Sequence, residues 1–173
     1  TPAEIEYFLT DAEPTVFVCD PARKDSLAGA ADAAKVAHVE TLDADGRGSM
    51  SERARFCPST FADVERGPDD LAGILYTSGT TGRSKGAMIS QENLASNARA
   101  LVEYWRFTSD DTLIHALPIY HTHGLFVAIN VLLIAGGKMI FLPKFDADQV
   151  MSYMPRATSL MGVPTFRLVA RGM

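Results

Sequence analysis

The sequence predicts an α/β fold with a mostly parallel sheet and helices on both faces, and three observations point to it. Strand, helix and strand follow one another within about 28 residues, positions 15–42, which is the grammar of parallel α/β architecture. Residues 15–19 and 112–117 are near-continuous apolar runs, the pattern of strands buried on both faces. Between two further apolar segments lies a stretch of glycine, hydroxyl side chains and cations, residues 77–86.

Taken in order, Thr1, Pro2 and Glu4 supply a hydroxyl cap, a proline at the first helical position and an early acid. Ile5, Phe8 and Leu9 follow at helical spacing, so a short helix is predicted to about Leu9. Pro14 breaks the chain before the first buried strand. Asp20 and Pro21 cap a helix running to Lys35, with Leu27, Ala30, Ala31 and Ala34 free to face a core, and the alternating residues 36–42 form a second strand. Glycines among charges predict a surface connection over residues 43–58, then a short helix over 59–66 and a turn over 67–70. Ser90 opens an amphipathic helix with Leu94, Ala98, Leu101, Val102 and Trp105 along one face; that stripe, Trp105 included, reads as core. Residues 112–117 make a buried strand ended by Pro118. Gly124 permits a tight entry to an apolar helix over 125–135, which Gly136 and Gly137 terminate. A strand over 138–142, a helix over 147–154 capped by Asp146, and a strand and turn over 159–164 complete the pattern, with Thr165 and Phe166 opening another helix.

The chain has 173 residues, enough for the core of one domain or part of a larger one. It begins at Thr1 and ends soon after an apparently unfinished helix, so it is expected to be a segment of a longer protein. Sixteen basic residues against 21 acidic give a formal charge of -5, and the basic ones are scattered, which argues against nucleic acid or an anionic membrane as partner. A cytoplasmic enzyme is expected. Cys19 and Cys57 are too far apart for a zinc knuckle or a disulfide framework, and the longest apolar run, residues 125–135, is too short to span a bilayer.

The glycine-rich stretch suits phosphate. Gly79, Gly82 and Gly86 let backbone amides approach an anion; Thr77, Ser78, Thr80, Thr81 and Ser84 add hydroxyl donors; Lys85, with Arg83 as a second candidate, adds positive charge. An ordinary P-loop is excluded by spacing, because that motif requires Gly-Lys-Ser/Thr five positions after its first glycine and a helix directly behind it. Here Ser84 occupies the second glycine position, and the helix waits until about Ser90.

The eleven residues Tyr-Thr-Ser-Gly-Thr-Thr-Gly-Arg-Ser-Lys-Gly, 76–86, resemble the signature loop of the AMP-forming adenylating enzymes: acyl-CoA synthetases, nonribosomal adenylation domains and firefly-type luciferases. A second segment, Leu-Pro-Ile-Tyr-His-Thr-His-Gly, 117–124, resembles another signature of that superfamily, and residues 141–146 and 162–165 agree with it. The chain is most similar to bacterial malonyl-CoA synthetases. The resemblance implies part of the large N-terminal AMP-binding domain, with residues 1–70 as the leading α/β part and 71–173 as the phosphate-loop and acid-pocket part.

It also implies ATP, Mg2+ and coenzyme A as reactants, with a small carboxylic acid converted to an acyl-adenylate and then to a thioester. Thr77, Ser78, Gly79, Thr80, Thr81, Gly82, Ser84 and Lys85 would hold the phosphates. Lys85 and His121 would be catalytic, and His121, His123 and Gly124 would line the acid site. No metal ligand is assigned; the adenine- and magnesium-binding residues and the small C-terminal domain needed for turnover are expected after Met173, so this segment alone is expected to be inactive. A medium-chain or aryl acid ligase, a carrier-loading adenylation domain and a noncatalytic nucleotide-binding fragment are the alternatives. His121 and His123 could also serve as core or capping histidines.

Overall fold

The computed structural model describes residues 1–77 and 84–163, and the chain divides into two compact units, Thr1–Glu65 with Tyr76–Gly86 and Arg66–Leu75 with Ala87–Met173. In the first unit, helix α1 (Pro2–Ala12) starts with a reciprocal cap: the Thr1 hydroxyl accepts from the Glu4 amide and the Glu4 side chain returns to Thr1, satisfying donors that a helix start leaves open. It runs one turn beyond the predicted Leu9. Glu13 then turns left-handed at φ 47° with its N–H on the Leu9 carbonyl, and Pro14 prevents continuation.

Strands β1 (Val16–Cys19) and β2 (His38–Thr41) pair in parallel, Val16 opposite His38 and Cys19 opposite Thr41. The predicted single helix between them is two pieces: a 3-10 turn, Pro21–Arg23, capped by the Asp20 carboxylate, then helix α2 (Lys24–Ala33), which buries Leu27, Ala30 and Ala31. β1 is not the doubly buried strand its composition suggests. Val16 and Val18 are 48% and 40% exposed while Cys19 is buried, so one face of this two-stranded sheet is open.

Between β2 and the central loop the predicted surface connection proves to contain a helix, and the predicted helix is absent. Helix α3 (Ser49–Ala54) occupies the predicted surface connection. Contacts with β2 hold it there: Ser49 exchanges hydrogen bonds with Thr41 and donates to Glu40, and Arg53 pairs with Glu40. Composition could not signal those long-range partners. Residues 59–66, predicted as a helix, have no regular structure. Phe61 and Val64 are exposed there, so the segment has no surface on which to bury an apolar face, and short helices depend on such burial.

Strands β3 (Leu71–Thr77) and β4 (Lys85–Ser90) pair with each other. Ser90 caps helix α4 (Gln91–Trp105), its hydroxyl accepting from the Asn93 amide while Asn93 Oδ1 accepts from Ser90. In the second unit β5 (Thr112–His115) is the middle strand of three, with β6 (Lys138–Phe141) and β7 (Ser159–Met161) parallel on either side.

The near-continuous apolar run at β5 is here the correct sign of double burial. Leu113 packs with Leu117, Ala128, Val131 and Leu132, joined by Leu101 and Val102 of α4. Ile114 packs oppositely with Ala116, Leu142 and Val150. Helix α5 (Ile129–Ala135) and α4 therefore cover one face, and helix α6 (Ala147–Tyr153), capped by Asp146, covers the other.

The predicted apolar helix over 125–135 begins two residues earlier and as a π-helix, His123–Ala128, before becoming α5. Gly136 ends it at φ 73°, a conformation glycine adopts without strain. The helix expected from Thr165 lies outside the described residues. Among those residues no helix is long and apolar enough to cross a membrane.

Candidate functional site

The first unit carries the stems of the predicted phosphate loop. β3 ends at exposed Thr77 and β4 begins at exposed Lys85, with Ser84 half-buried before it. Ser78, Gly79, Thr80, Thr81, Gly82 and Arg83 lie outside the described residues. Helix α1 reaches both stems: the Tyr7 hydroxyl donates to the Ser84 carbonyl at 2.7 Å, and the Tyr76 hydroxyl donates to Asp11 Oδ2 at 2.6 Å. The Asp11 carboxylate accepting that proton pushes the Tyr76 phenol up to about 12, because ionising the phenol would break the bond and set two negative charges side by side.

In the second unit β5 delivers the histidine segment. Ala116 and Leu117 remain buried beyond the strand. The chain then turns at Pro118, whose carbonyl accepts from the His121 amide at 3.3 Å, and the His121 carbonyl accepts from Leu125 at 2.9 Å. These bonds fix the backbone at His121. Its side chain meets the exposed Tyr120 ring at 4.7 Å between centroids.

His121 lines a cleft of about 600 Å3 together with residues 116–120, Phe141, Pro143, Lys144, Phe145 and Val163. Every one of these positions follows, or ends, one of the three parallel strands. The cleft therefore lies at the carboxyl edge of the sheet, where α/β folds bind ligands. Its walls are mostly apolar, Lys144 supplies a cation, and none of the described residues lining it is acidic, so it suits an organic anion.

His115 is one of the residues that sequence reasoning missed. Fully buried at the end of β5, it contacts the Gly124 carbonyl through Nε2 at 2.9 Å and stacks on Phe141 at 5.0 Å. A carbonyl only accepts, so Nε2 carries the proton and donates. The bond ties the first turn of the π-helix to the strand that precedes it. Nothing local marks this histidine in sequence, since its partner is nine positions away. Gly124 itself sits against Pro118, and a Cβ there would come within 2.3 Å of the Pro118 carbonyl oxygen; only glycine fits without backbone movement.

His123 is placed elsewhere. It lines a separate cleft of about 320 Å3 with Trp105, Phe107 and residues 159–162, so the two histidines expected to share one acid site face different cavities. Trp105, expected in the core, is 42% exposed and forms a wall of that second cleft beside Phe107. Among the described residues no group of three His, Cys, Asp or Glu could hold a metal ion.

Comparison with known proteins gives a consistent result. A family model described as AMP-binding enzyme matches residues 1–169. The mitochondrial malonate–CoA ligase ACSF3 of Mus musculus is 34% identical over 169 residues, which is 94% of this chain and 28% of the relative. Apo and ATP-bound structures of MatB from Rhodopseudomonas palustris are 64% and 65% identical, with TM-scores of 0.90 and 0.89, each covering 96% of this chain and 33% of MatB. The N-terminal domain of FACL13 from Mycobacterium tuberculosis is 26% identical over the whole chain and 44% of that domain, at a TM-score of 0.82. The chain thus spans about a third of the length of the MatB chains it matches.

Proposed function

The chain belongs to the AMP-binding enzyme family, and from that premise we propose that the protein carrying it activates a small carboxylic acid, malonate, with ATP and transfers the acyl group to coenzyme A. The observation carrying this reading is the similarity to MatB and to a malonate–CoA ligase across nearly the whole chain, supported by a mostly apolar cleft at the sheet's carboxyl edge with Lys144 on its wall. A cytoplasmic setting belongs to the same proposal, beside the mitochondrial location in the mouse relative's name.

Two transfers make up the reaction. A carboxylate oxygen attacks the α-phosphorus of ATP and the bond to pyrophosphate breaks, the electron pair leaving with pyrophosphate. The thiol sulfur of coenzyme A then attacks the acyl carbon, loses its proton, and AMP departs with the electrons of the C–O bond. A carboxylic acid is ionised near neutral pH, so the first step needs no general base; positioning and stabilisation of spreading phosphate charge supply the rate.

Thr77, Ser84, Lys85 and the intervening residues hold the β- and γ-phosphates, with Lys85 as the cation at the loop's end. His121 lies beside the acid and guards its approach to phosphorus, while Lys144 offers an anion partner on the cleft wall. Mg2+ would neutralise phosphate charge when bound, but the described residues offer no cluster of three His, Cys, Asp or Glu to hold it. Turnover also requires residues beyond this segment.

ATP–pyrophosphate exchange by the full-length protein, offered malonate, acetate and octanoate in turn, tests the reading. Malonate is expected to give the highest kcat/KM, and the 173-residue chain alone is expected to give no exchange. A preference for octanoate would move the assignment to a medium-chain ligase, and exchange by the isolated chain would overturn the need for further residues.

A further inference from the structure

We propose that α1 is a two-point clamp on the phosphate loop, with Tyr7 and Asp11 acting as positioning residues that hold the two stems between which the loop binds ATP; this rests on the loop's assignment to phosphate. Tyr7 and Asp11 are four residues apart, hence neighbours on one helix face. Each reaches a different stem of the same loop: Tyr7 bonds Ser84, and Asp11 bonds Tyr76. Phe8, between them in sequence, packs its ring on Tyr76 at 4.5 Å. The helix providing these contacts is capped at both ends and anchored by buried Leu9, so its face is a fixed reference for the loop.

Consequences for the loop follow from peptide geometry. The peptide between Ser84 and Lys85 is planar and trans, so its C=O and N–H point in opposite directions. Tyr7 holds the Ser84 oxygen and thereby aims the Lys85 N–H away from α1, also fixing where the Lys85 side chain leaves the backbone. On the other stem, successive residues of a strand face opposite sides. Tyr76 turned onto α1 leaves Thr77 on the other side, and Thr77 is exposed. One end of the loop thus turns Thr77, and the other the Lys85 amide, away from the helix that holds them.

The test is ATP–pyrophosphate exchange by the full-length protein, varying ATP and the carboxylic acid separately. Tyr7→Phe keeps the ring and deletes the hydroxyl, so folding should survive, as the thermal unfolding midpoint would record. It is expected to lower kcat/KM for ATP about 2- to 10-fold, the worth of one hydrogen bond, while the KM for the acid holds. Asp11→Ala should act likewise, Tyr7→Phe with Asp11→Ala should exceed either alone, and Asp11→Asn, which keeps an acceptor for Tyr76, should recover most of the loss. An unchanged kcat/KM for ATP in the double variant, or an equal rise in the acid's KM, would overturn the clamp. Lys85→Ala in the same assay separates the two ideas: if it loses exchange while the double variant keeps it, the clamp alone fails; if Lys85→Ala also keeps it, the loop's assignment to phosphate fails first.

Discussion

Replacing Lys85 with alanine in the full-length protein is expected to slow acyl-adenylate formation about 100- to 1000-fold, the usual cost of deleting one donor aimed at charge that develops in the transition state. The fold gives little reason for any other effect. Lys85 is the first residue of β4, exposed, and has no ion pair among the described residues, so its truncation leaves no cavity and strands no buried partner. Lys85→Arg should recover only part of the rate, because a planar fork does not replace a compact point charge on phosphate oxygens. Pre-steady-state measurement of adenylate formation, with circular dichroism to verify folding, reads this directly. A rate within threefold of the unsubstituted protein would remove Lys85 from the chemistry.

The second large effect is expected at Gly124. A methyl group at the buried Gly124 would meet the Pro118 carbonyl oxygen at 2.3 Å and its carbon at 2.9 Å, and backbone atoms cannot rotate aside as a side chain can. Overpacking of this kind costs about 1–3 kcal/mol. Relief must come from movement of the π-helix start, which carries the Gly124 carbonyl away from His115 and shifts the segment bearing His121. Gly124→Ala should therefore destabilise the protein by that amount in urea unfolding and also reduce kcat/KM for the acid. Gly29→Ala is the matched control: it lies exposed within α2, a Cβ there meets nothing within 4 Å, and the change should stabilise by about 0.5–1 kcal/mol. Equal stability of the two variants would show that the close approach at Gly124 carries no strain.

What could be read in the sequence, and what could not, divides along physical lines. The caps at Thr1, Asp20 and Asp146 were legible because each acts within three residues of itself. The burial of β5 was legible because a strand covered on both faces has no polar alternation to show. The same inference failed at β1, where an equally apolar run leaves Val16 and Val18 exposed, since composition does not say how many layers pack on a sheet. Helix α3 was hidden because Glu40 and Thr41 on β2 hold it through Ser49 and Arg53.

The candidate site shows the same limit. Residue types fitted to phosphate, and the turn from Pro118 to Gly124, stood out as local patterns. The separation of His121 from His123 did not, because His121 lies in the turn and His123 opens the π-helix, and spacing alone does not determine that they line different clefts. Tyr7, Asp11 and His115 act on backbone or side chains 77, 65 and nine positions away, and distance along the chain leaves no mark on the residue itself.

The most direct measurement is a crystal structure of the full-length protein with a nonhydrolysable ATP analogue. Residues 77–85 should surround the β- and γ-phosphates, with Lys85 Nζ within hydrogen-bond distance of a phosphate oxygen and the Tyr7–Ser84 bond intact. A triphosphate bound away from those residues, with Lys85 directed into solvent, would contradict the central claim.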